Sequence, residues 1–386
     1  MRTARTMVTG LVALALVTGC SSSATTSPSS APTSTPLATA ATPSASSTST
    51  ASSPTTPATT TTGPATTAPA TTVPATTALG TTTTTTMTTT APTGPLTVQQ
   101  LLDLGRPIVL AHASGEDQHP HSTPFGYAES VREGVDMLDF DVQLTADGVL
   151  VVQHDDSTGR TANQDLSVAD TAYADLAALD NAYWFTAGCT CTGQPDAAYI
   201  YRGVRTGKVP PPAGYAPDDF IIPRFRDIAQ RFPNMPVNIE IKGSGDHAVA
   251  AATELAKELT ELDLLDNAVV TSFDDAVVDA FHAAAPTVEV TPGLQLSSDF
   301  ILHGKPLPAG MRILQLPVDY GDIHVLTPET IAASHAAGYV IWVWPDDRKW
   351  ENPDGYTWLL AMGMDGLNIN FPDQGVQAVR GFVAGR

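Results

Sequence analysis

Three cysteines in 386 residues are too few for a disulfide framework, and two of them, Cys189 and Cys191, stand two residues apart. Without histidine they cannot complete a structural zinc site. Paired thiols and a bridge inside one loop are both compatible with their spacing, and an exported location permits the bridge. Basic residues are scarce: 19 Lys and Arg stand against 40 Asp and Glu, a net charge of −21. That balance argues against nucleic acid as a partner and disfavours tight adsorption to an anionic membrane surface. The apolar run Leu11–Val17 is too short to cross a bilayer. Residues 21–95 contain no charged residue and consist almost entirely of Ser, Thr, Pro and Ala. Such a stretch cannot bury enough apolar surface to offset its ordering entropy, so it reads as a disordered linker. Ser and Thr with Pro also mark glycosylated stalks.

What is present falls into three parts. Residues 1–20 have the layout of an export signal: Arg2 and Arg5, the apolar run, then Val17-Thr-Gly-Cys20. The small residues before Cys20 resemble a bacterial lipobox, which implies lipidation of that cysteine and anchoring to the outer face of the cytoplasmic membrane in the cell envelope. The linker 21–95 would then act as a tether, about 50 Å long as a coil and about 200 Å when extended. Residues 96–386 remain for a folded domain. All 40 acidic residues lie there, against 17 basic ones once Arg2 and Arg5 are set aside, a net charge of −23.

The folded part is organised around Met137–Asp156, MLDFDVQLTADGVLVVQHDD. In a strand, side chains at i and i+2 point the same way, so Asp139 and Asp141 converge on one patch. Thr145-Ala-Asp-Gly148 is a hairpin signal. Folding about Asp147-Gly148 brings His154 roughly opposite Asp141. Four residues cannot make a parallel crossover, so Val149–His154 is an antiparallel addition to the main sheet. The other strands expected are Ile108–His112, Val237–Lys242, Ala268–Phe273, Val288–Leu294, Ile313–Leu316, Tyr339–Trp344 and Gly366–Asn370. Helices are expected between most of them, with little helical pattern between Val288–Leu294 and Ile313. Eight main strands alternating with helices predict an α/β TIM (β/α)8 barrel with an added hairpin strand. A long insertion, from Ala162 to Pro223, reads as a lid or a scaffold cover.

Barrel active sites lie at the C-terminal strand ends. His112 ends the first strand, Asp139 and Asp141 lie on the second, and Glu240 and Lys242 on the third. Three carboxylates at one mouth call for a divalent cation, and oxygen ligands suit Ca²⁺ or Mg²⁺. Two histidines beside a hard cation suit acid–base work on a phosphate ester, with Lys242 holding a phosphoryl oxygen. The bland alternatives are a surface hairpin and a Glu240–Lys242 ion pair in the core. His119 and His121 lie near enough to contribute.

The ordered segments VLAH (109–112), MLDFDVQLTADGVLVVQHDD (137–156), NIEIK (238–242), VVTSFDD (269–275), VIWVW (340–344) and GLNINFPD (366–373) resemble the glycerophosphodiester phosphodiesterases, here as an exported lipoprotein member of actinobacterial type. The resemblance implies a TIM barrel that hydrolyses glycerophosphodiesters to glycerol 3-phosphate and an alcohol with a divalent metal. It implies Asp139, Asp141 and Glu240 as metal ligands and His112 and His154 as the acid/base pair. It implies Lys242 and Trp344 in the substrate pocket. Three motifs depart from the family. His-Arg-Gly reads His112-Ala-Ser114, Pro-Glu-Asn-Thr reads Pro120-His-Ser-Thr123, and Thr-Asp reads Ile369-Asn370. The lost arginine removes a bidentate phosphate clamp, whose geometry Lys cannot copy; Arg202, Arg205 and Lys208 of the insertion are the candidates to replace its positive charge. These departures bear on the substrate, which is expected to be a small phosphodiester or a lysolipid. A phospholipase D-like or sphingomyelinase D-like phosphodiesterase and a non-catalytic envelope binding lipoprotein are the rival readings.

Overall fold

The computed structural model describes residues 96–386; the expected signal peptide, its Cys20 and the linker lie outside the described residues. Eight parallel strands form the core: Ile108–Ala111, Met137–Leu144, Val237–Ile241, Ala268–Thr271, Glu289–Val290, Ile313–Leu316, Val340–Val343 and Gly366–Ile369. The first strand pairs with both the second and the last, which is the order of a barrel. One seam, between Glu289–Val290 and Ile313–Leu316, carries no ladder pairing. The expected (β/α)8 barrel is therefore present and nearly closed.

The open seam has a local cause. The fifth strand is two residues long rather than Val288–Leu294, because Pro292 has no N–H to continue a ladder. Leu294 instead begins a helix that runs to His303 and stops at Gly304, which is left-handed at φ 65°. This corrects the expectation of a connection without helix. A final helix, Pro372–Ala384, was also not anticipated; Pro372 occupies its first turn, where a missing N–H costs nothing.

Strand alternation separates two sets of side chains. In the second strand Leu138, Phe140 and Val142 are buried in the layer between strands and helices. Met137 shares the other face with Asp139 and Asp141, inside the barrel. At the N-terminal end that interior is apolar: Ile108, Leu110, Met137, Val269, Ile313 and Trp342 pack together under Val98 and Leu101 of the leading helix. The carboxylates stand at the other end of the same file. The apolar plug holds the barrel, and the polar mouth remains for chemistry.

The hairpin forms as expected. Gly148 has φ 76°, and Thr145 Oγ1 accepts from the Val149 N–H at 3.0 Å. The register is one residue off the expected one: Val142 pairs with Val152, and the Gln153 N–H donates to the Asp141 carbonyl at 2.9 Å. Gln153 is thus opposite Asp141, and His154 lies one step further on. The insertion packs mainly on scaffold, and at Gly188 and Thr190 it also bonds the loop that carries Glu116 and Asp117. Its Tyr201, Val204, Tyr215 and Phe220 pack on Phe125 of the helix Pro124–Glu133. Cys189 and Cys191 are bridged within it.

Candidate active site

His112, Asp139, His154, Glu240, Lys242 and Trp344 line one cleft of about 190 Å³ at the C-terminal ends of the strands. Asp141 sits just behind, buried, beside Glu240 in the strand register. The seven barrel residues singled out from the sequence are brought to one place. The two imidazole rings lie perpendicular, centroids 6.1 Å apart.

Each histidine is fixed through Nδ1. His112 follows Ala111, which pairs with Ile369, so it stands beside Asn370; Nδ1 is 2.8 Å from Asn370 Oδ1. His154 Nδ1 is 2.7 Å from Asp155 Oδ1. The returning chain is held by Gln143, whose Nε2 donates to the carbonyls of Gln153 at 2.8 Å and Asp155 at 2.9 Å. With Nδ1 as donor in both rings, each Nε2 is left for substrate. Burial alone would depress the His112 pKa. The charges of Glu116, Asp139 and Asp141 outweigh it and hold the group raised to about 9.

A polar array behind the cleft joins the two rings. Asn370 Nδ2 donates to Asp117 at 3.0 Å and approaches Glu116 Oε1 at 3.4 Å. Arg160 Nη1 reaches Glu116 Oε2 at 2.9 Å, and its Nε reaches Asp155 Oδ2 at 2.6 Å. Burial raises the Glu116 pKa, yet Arg160, His121 and His112 outweigh that and hold it well below the carboxylate range. Sequence reading missed Glu116, Asp155 and Arg160. The signals were an acidic Gly115-Glu-Asp117 directly after the first strand and the carboxylate next to His154.

Other expectations are corrected. Arg202 stacks 3.7 Å from the Tyr199 ring centroid and bonds the Tyr183 carbonyl, while Arg205 bonds the Ala177 carbonyl and Asp218. Both tie the insertion together. Lys208 is exposed on it. None of the three lines the cleft. The place of the lost arginine is filled by Ala113, buried, with φ 44°, followed by Ser114 with φ 73°. The cation of the cleft is Lys242, with Arg160 behind it. His119 pairs with Glu133 at 3.1 Å and serves the scaffold. His121 lies beside His154, ring centroids 5.9 Å apart; burial and Arg160 push its pKa down to about 3.

Among the described residues, no three His, Cys, Asp or Glu side chains are gathered as a metal cage. The Lys242 ammonium instead lies between Glu240 at 2.9 Å and Asp141 at 3.5 Å. The donor chemistry still fits a hard cation. Asp141 Oδ2 is buried with no hydrogen-bond partner, and burial together with the Asp141 charge raises the Asp139 pKa. An all-oxygen set suits Ca²⁺ or Mg²⁺.

Known proteins point the same way. The model of the glycerophosphoryl diester phosphodiesterase family matches residues 112–374. A glycerophosphodiester phosphodiesterase of Bacillus altitudinis is 23% identical over 275 residues, covering 70% of this chain and 96% of its own. A Homo sapiens protein named lysophospholipase D GDPD1 is 26% identical over 150 residues, 38% of this chain and 40% of its own. An Oleispira antarctica phosphodiesterase, solved with the product sn-glycerol-3-phosphate, shares the fold with a TM-score of 0.54 at 18% identity, over 71% of this chain and 97% of that one. The chain belongs to the glycerophosphoryl diester phosphodiesterase family, a family of phosphoric diester hydrolases.

Proposed function

We propose that this chain is an exported, lipid-anchored, metal-dependent hydrolase that cleaves glycerophosphodiesters to glycerol 3-phosphate and an alcohol. One observation carries the reading. Two imidazoles, each fixed through Nδ1, face one cleft that Asp139, Glu240 and Lys242 also line. A scaffold or a binding protein needs no such pair of acid–base groups.

In the proposed mechanism Lys242 orients a phosphoryl oxygen. His154, backed by the Asp155 carboxylate, removes the proton of the nucleophile at Nε2. His112, held through Nδ1 by Asn370, delivers a proton from Nε2 to the leaving alkoxide. A divalent cation held by Asp139, Asp141 and Glu240 would neutralise phosphoryl charge. Alignment and charge stabilisation carry most of the acceleration, as phosphoryl transfer requires.

The nucleophile is water in this reading. Because Ala113 leaves no arginine at the first strand end, attack by a neighbouring substrate hydroxyl, as in a phospholipase D-like or sphingomyelinase D-like enzyme, is the second reading. Phosphorus NMR of the products separates them, since an internal hydroxyl gives a cyclic phosphate. The test is turnover of glycerophosphodiesters and lysophospholipids by the full chain, with and without chelator. The human relative named lysophospholipase D is the reason to include the lysolipids. No metal-dependent turnover of any of them would overturn the reading. Anchoring is checked separately: the chain fractionates with membranes, and Cys20→Ala releases it.

A further inference from the structure

The floor of the cleft holds amides where a barrel of this kind usually packs branched apolar side chains. Asn238 stands two residues before Glu240 on the third barrel strand and pairs in register with Asp139 of the second. Gln315 stands two residues after Ile313 on the sixth strand. Both line the cleft, one step above the apolar plug to which Met137 and Ile313 belong. The third and sixth strands are not neighbours in the sheet, so the two amides meet across the barrel interior. Gln315 Nε2 donates to Asn238 Oδ1 at 2.8 Å, and Asn238 Nδ2 donates to Gln315 Oε1 at 3.1 Å. Asn238 Nδ2 also donates to Asp139 Oδ1. Asn238 is buried, whereas Gln315 is half-buried.

Charge sets the direction of this array. An ionised carboxylate only accepts, so Asn238 must turn Nδ2 toward Asp139. Its Oδ1 then faces Gln315, which in turn must present Nε2. Both hydrogens of Asn238 Nδ2 are engaged, so this amide has no donor left for a substrate, and its action falls on Asp139. Turning Asn238 would break three hydrogen bonds at once. Without Gln315 it would keep only the bond to Asp139 and could swing with that carboxylate. Apolar side chains of the same size would fill the floor without burying polar groups, so packing alone gives no reason for the amides. Partners that fix a ligand's orientation do give one, because a carboxylate free to turn holds a metal less tightly. We propose that Gln315 is a positioning residue: it locks Asn238, which holds Asp139 Oδ1 and so fixes that carboxylate for the divalent cation. The proposal rests on the cation reading of Asp139, Asp141 and Glu240, and on no assumption about the substrate.

The test follows Ca²⁺ and Mg²⁺ binding to the full chain by titration calorimetry, with melting of the chelated protein as the report on the fold. Gln315→Met and Asn238→Leu keep the side-chain size and remove the amide. Each should weaken cation binding by about tenfold in Kd, as loss of a partner of a metal ligand does. The double variant should bind no more weakly than Asn238→Leu alone, because Gln315 acts only through Asn238. The chelated Tm of Gln315→Met should stay near the parental value, since water reaches the half-buried position. Losses that multiply to about a hundredfold in the double variant would overturn the proposal, since they would mean that Gln315 acts independently of Asn238. A parental Kd in Gln315→Met would overturn it too, as would a weakened Kd accompanied by a fall in the chelated Tm, the mark of a structural role. Should Asn238→Leu fail to fold, Gln315→Met decides alone by these same two readings. Cation binding that neither substitution alters overturns the positioning role and leaves the cation reading standing. A parent chain that binds neither ion overturns both.

Discussion

His112 and His154 face each other across the cleft with unlike supports: an amide oxygen of Asn370 at 2.8 Å holds one Nδ1, and a carboxylate oxygen of Asp155 at 2.7 Å holds the other. The carboxylate suits a ring that must take up a proton. The Asn370 amide oxygen fixes the His112 ring without bringing a charge of its own. Replacing either ring by Gln should lower kcat by about 10²–10⁴-fold. The two variants should differ in pH dependence. His112→Gln loses the alkaline limb of the kcat/KM profile, because the acid is gone. His154→Gln loses the acidic limb, because the base is gone. Identical profiles would show the roles to be wrongly divided.

Asn370 holds His112 from outside the cleft lining. Asn370→Ala should cost about tenfold in kcat, a fraction of what the imidazole itself supplies, and leave KM nearly unchanged. Asn370→Asp should not recover the loss: its carboxylate can accept the same Nδ1–H, but the amide that donates to Asp117 is gone and a third carboxylate stands beside Glu116 and Asp117. A change in KM alone, measured by steady-state kinetics, would mean that Asn370 shapes the pocket instead.

Cation binding can be read without activity. A hard cation that binds only the folded chain stabilises it by about 2.7 kcal/mol at a hundredfold excess over Kd. Calorimetric melting should therefore show Tm rising with Ca²⁺ or Mg²⁺ and falling back with chelator. Asp141→Asn removes one donor and should abolish most of the shift. A Tm indifferent to both ions would count against the carboxylates as ligands.

Glu351 is buried beneath the mouth, where it accepts from the Tyr356 hydroxyl and from the Asn370 N–H at 3.0 Å. Burial raises its pKa to about 7 from an ordinary 4.5. Between those values the folded chain holds a proton that the unfolded chain has released. Stability from this group is thus complete below about pH 4.5 and lost as the pH rises through 7, by up to about 3 kcal/mol. The substitution Glu351→Gln keeps an acceptor oxygen in place without a charge. In urea unfolding, that variant should match the parent near pH 4.5 and exceed it at pH 8.

Arg160 balances Glu116 and Asp155, with a third of its side chain exposed. Arg160→Leu strands two carboxylates beside His154. It should destabilise by about 2–4 kcal/mol, a little under the cost of breaking a fully buried pair. Thermal melting checks this. A loss of less than about 1 kcal/mol would place the pair in effective contact with water.

Much of the mouth was legible because a strand has a period of two. Asp139 with Asp141, and Glu240 with Lys242, had to share a side wherever their strands ran, and the turn at Asp147-Gly148 had to send His154 back. The one-residue shift that put Gln153 opposite Asp141 was not legible, since register depends on where the turn closes. The helix Leu294–His303 was missed because its pattern is weak: only Phe300 is fully buried, and Leu302 faces solvent.

The sequence by itself determined the barrel, the two histidines and the carboxylates, because each rests on short-range periodicity and turn chemistry. Only the tertiary structure decided what supports and surrounds them. Asn370 lies 258 residues from His112 and reaches it because the last strand pairs with the first. Arg160 lies 44 residues from Glu116 and meets it because the hairpin folds back over the mouth. The apolar side of the cleft draws on Phe273, the helix Leu294–His303 and Tyr320, which share no local pattern, and only the tertiary fold sets them around one cleft.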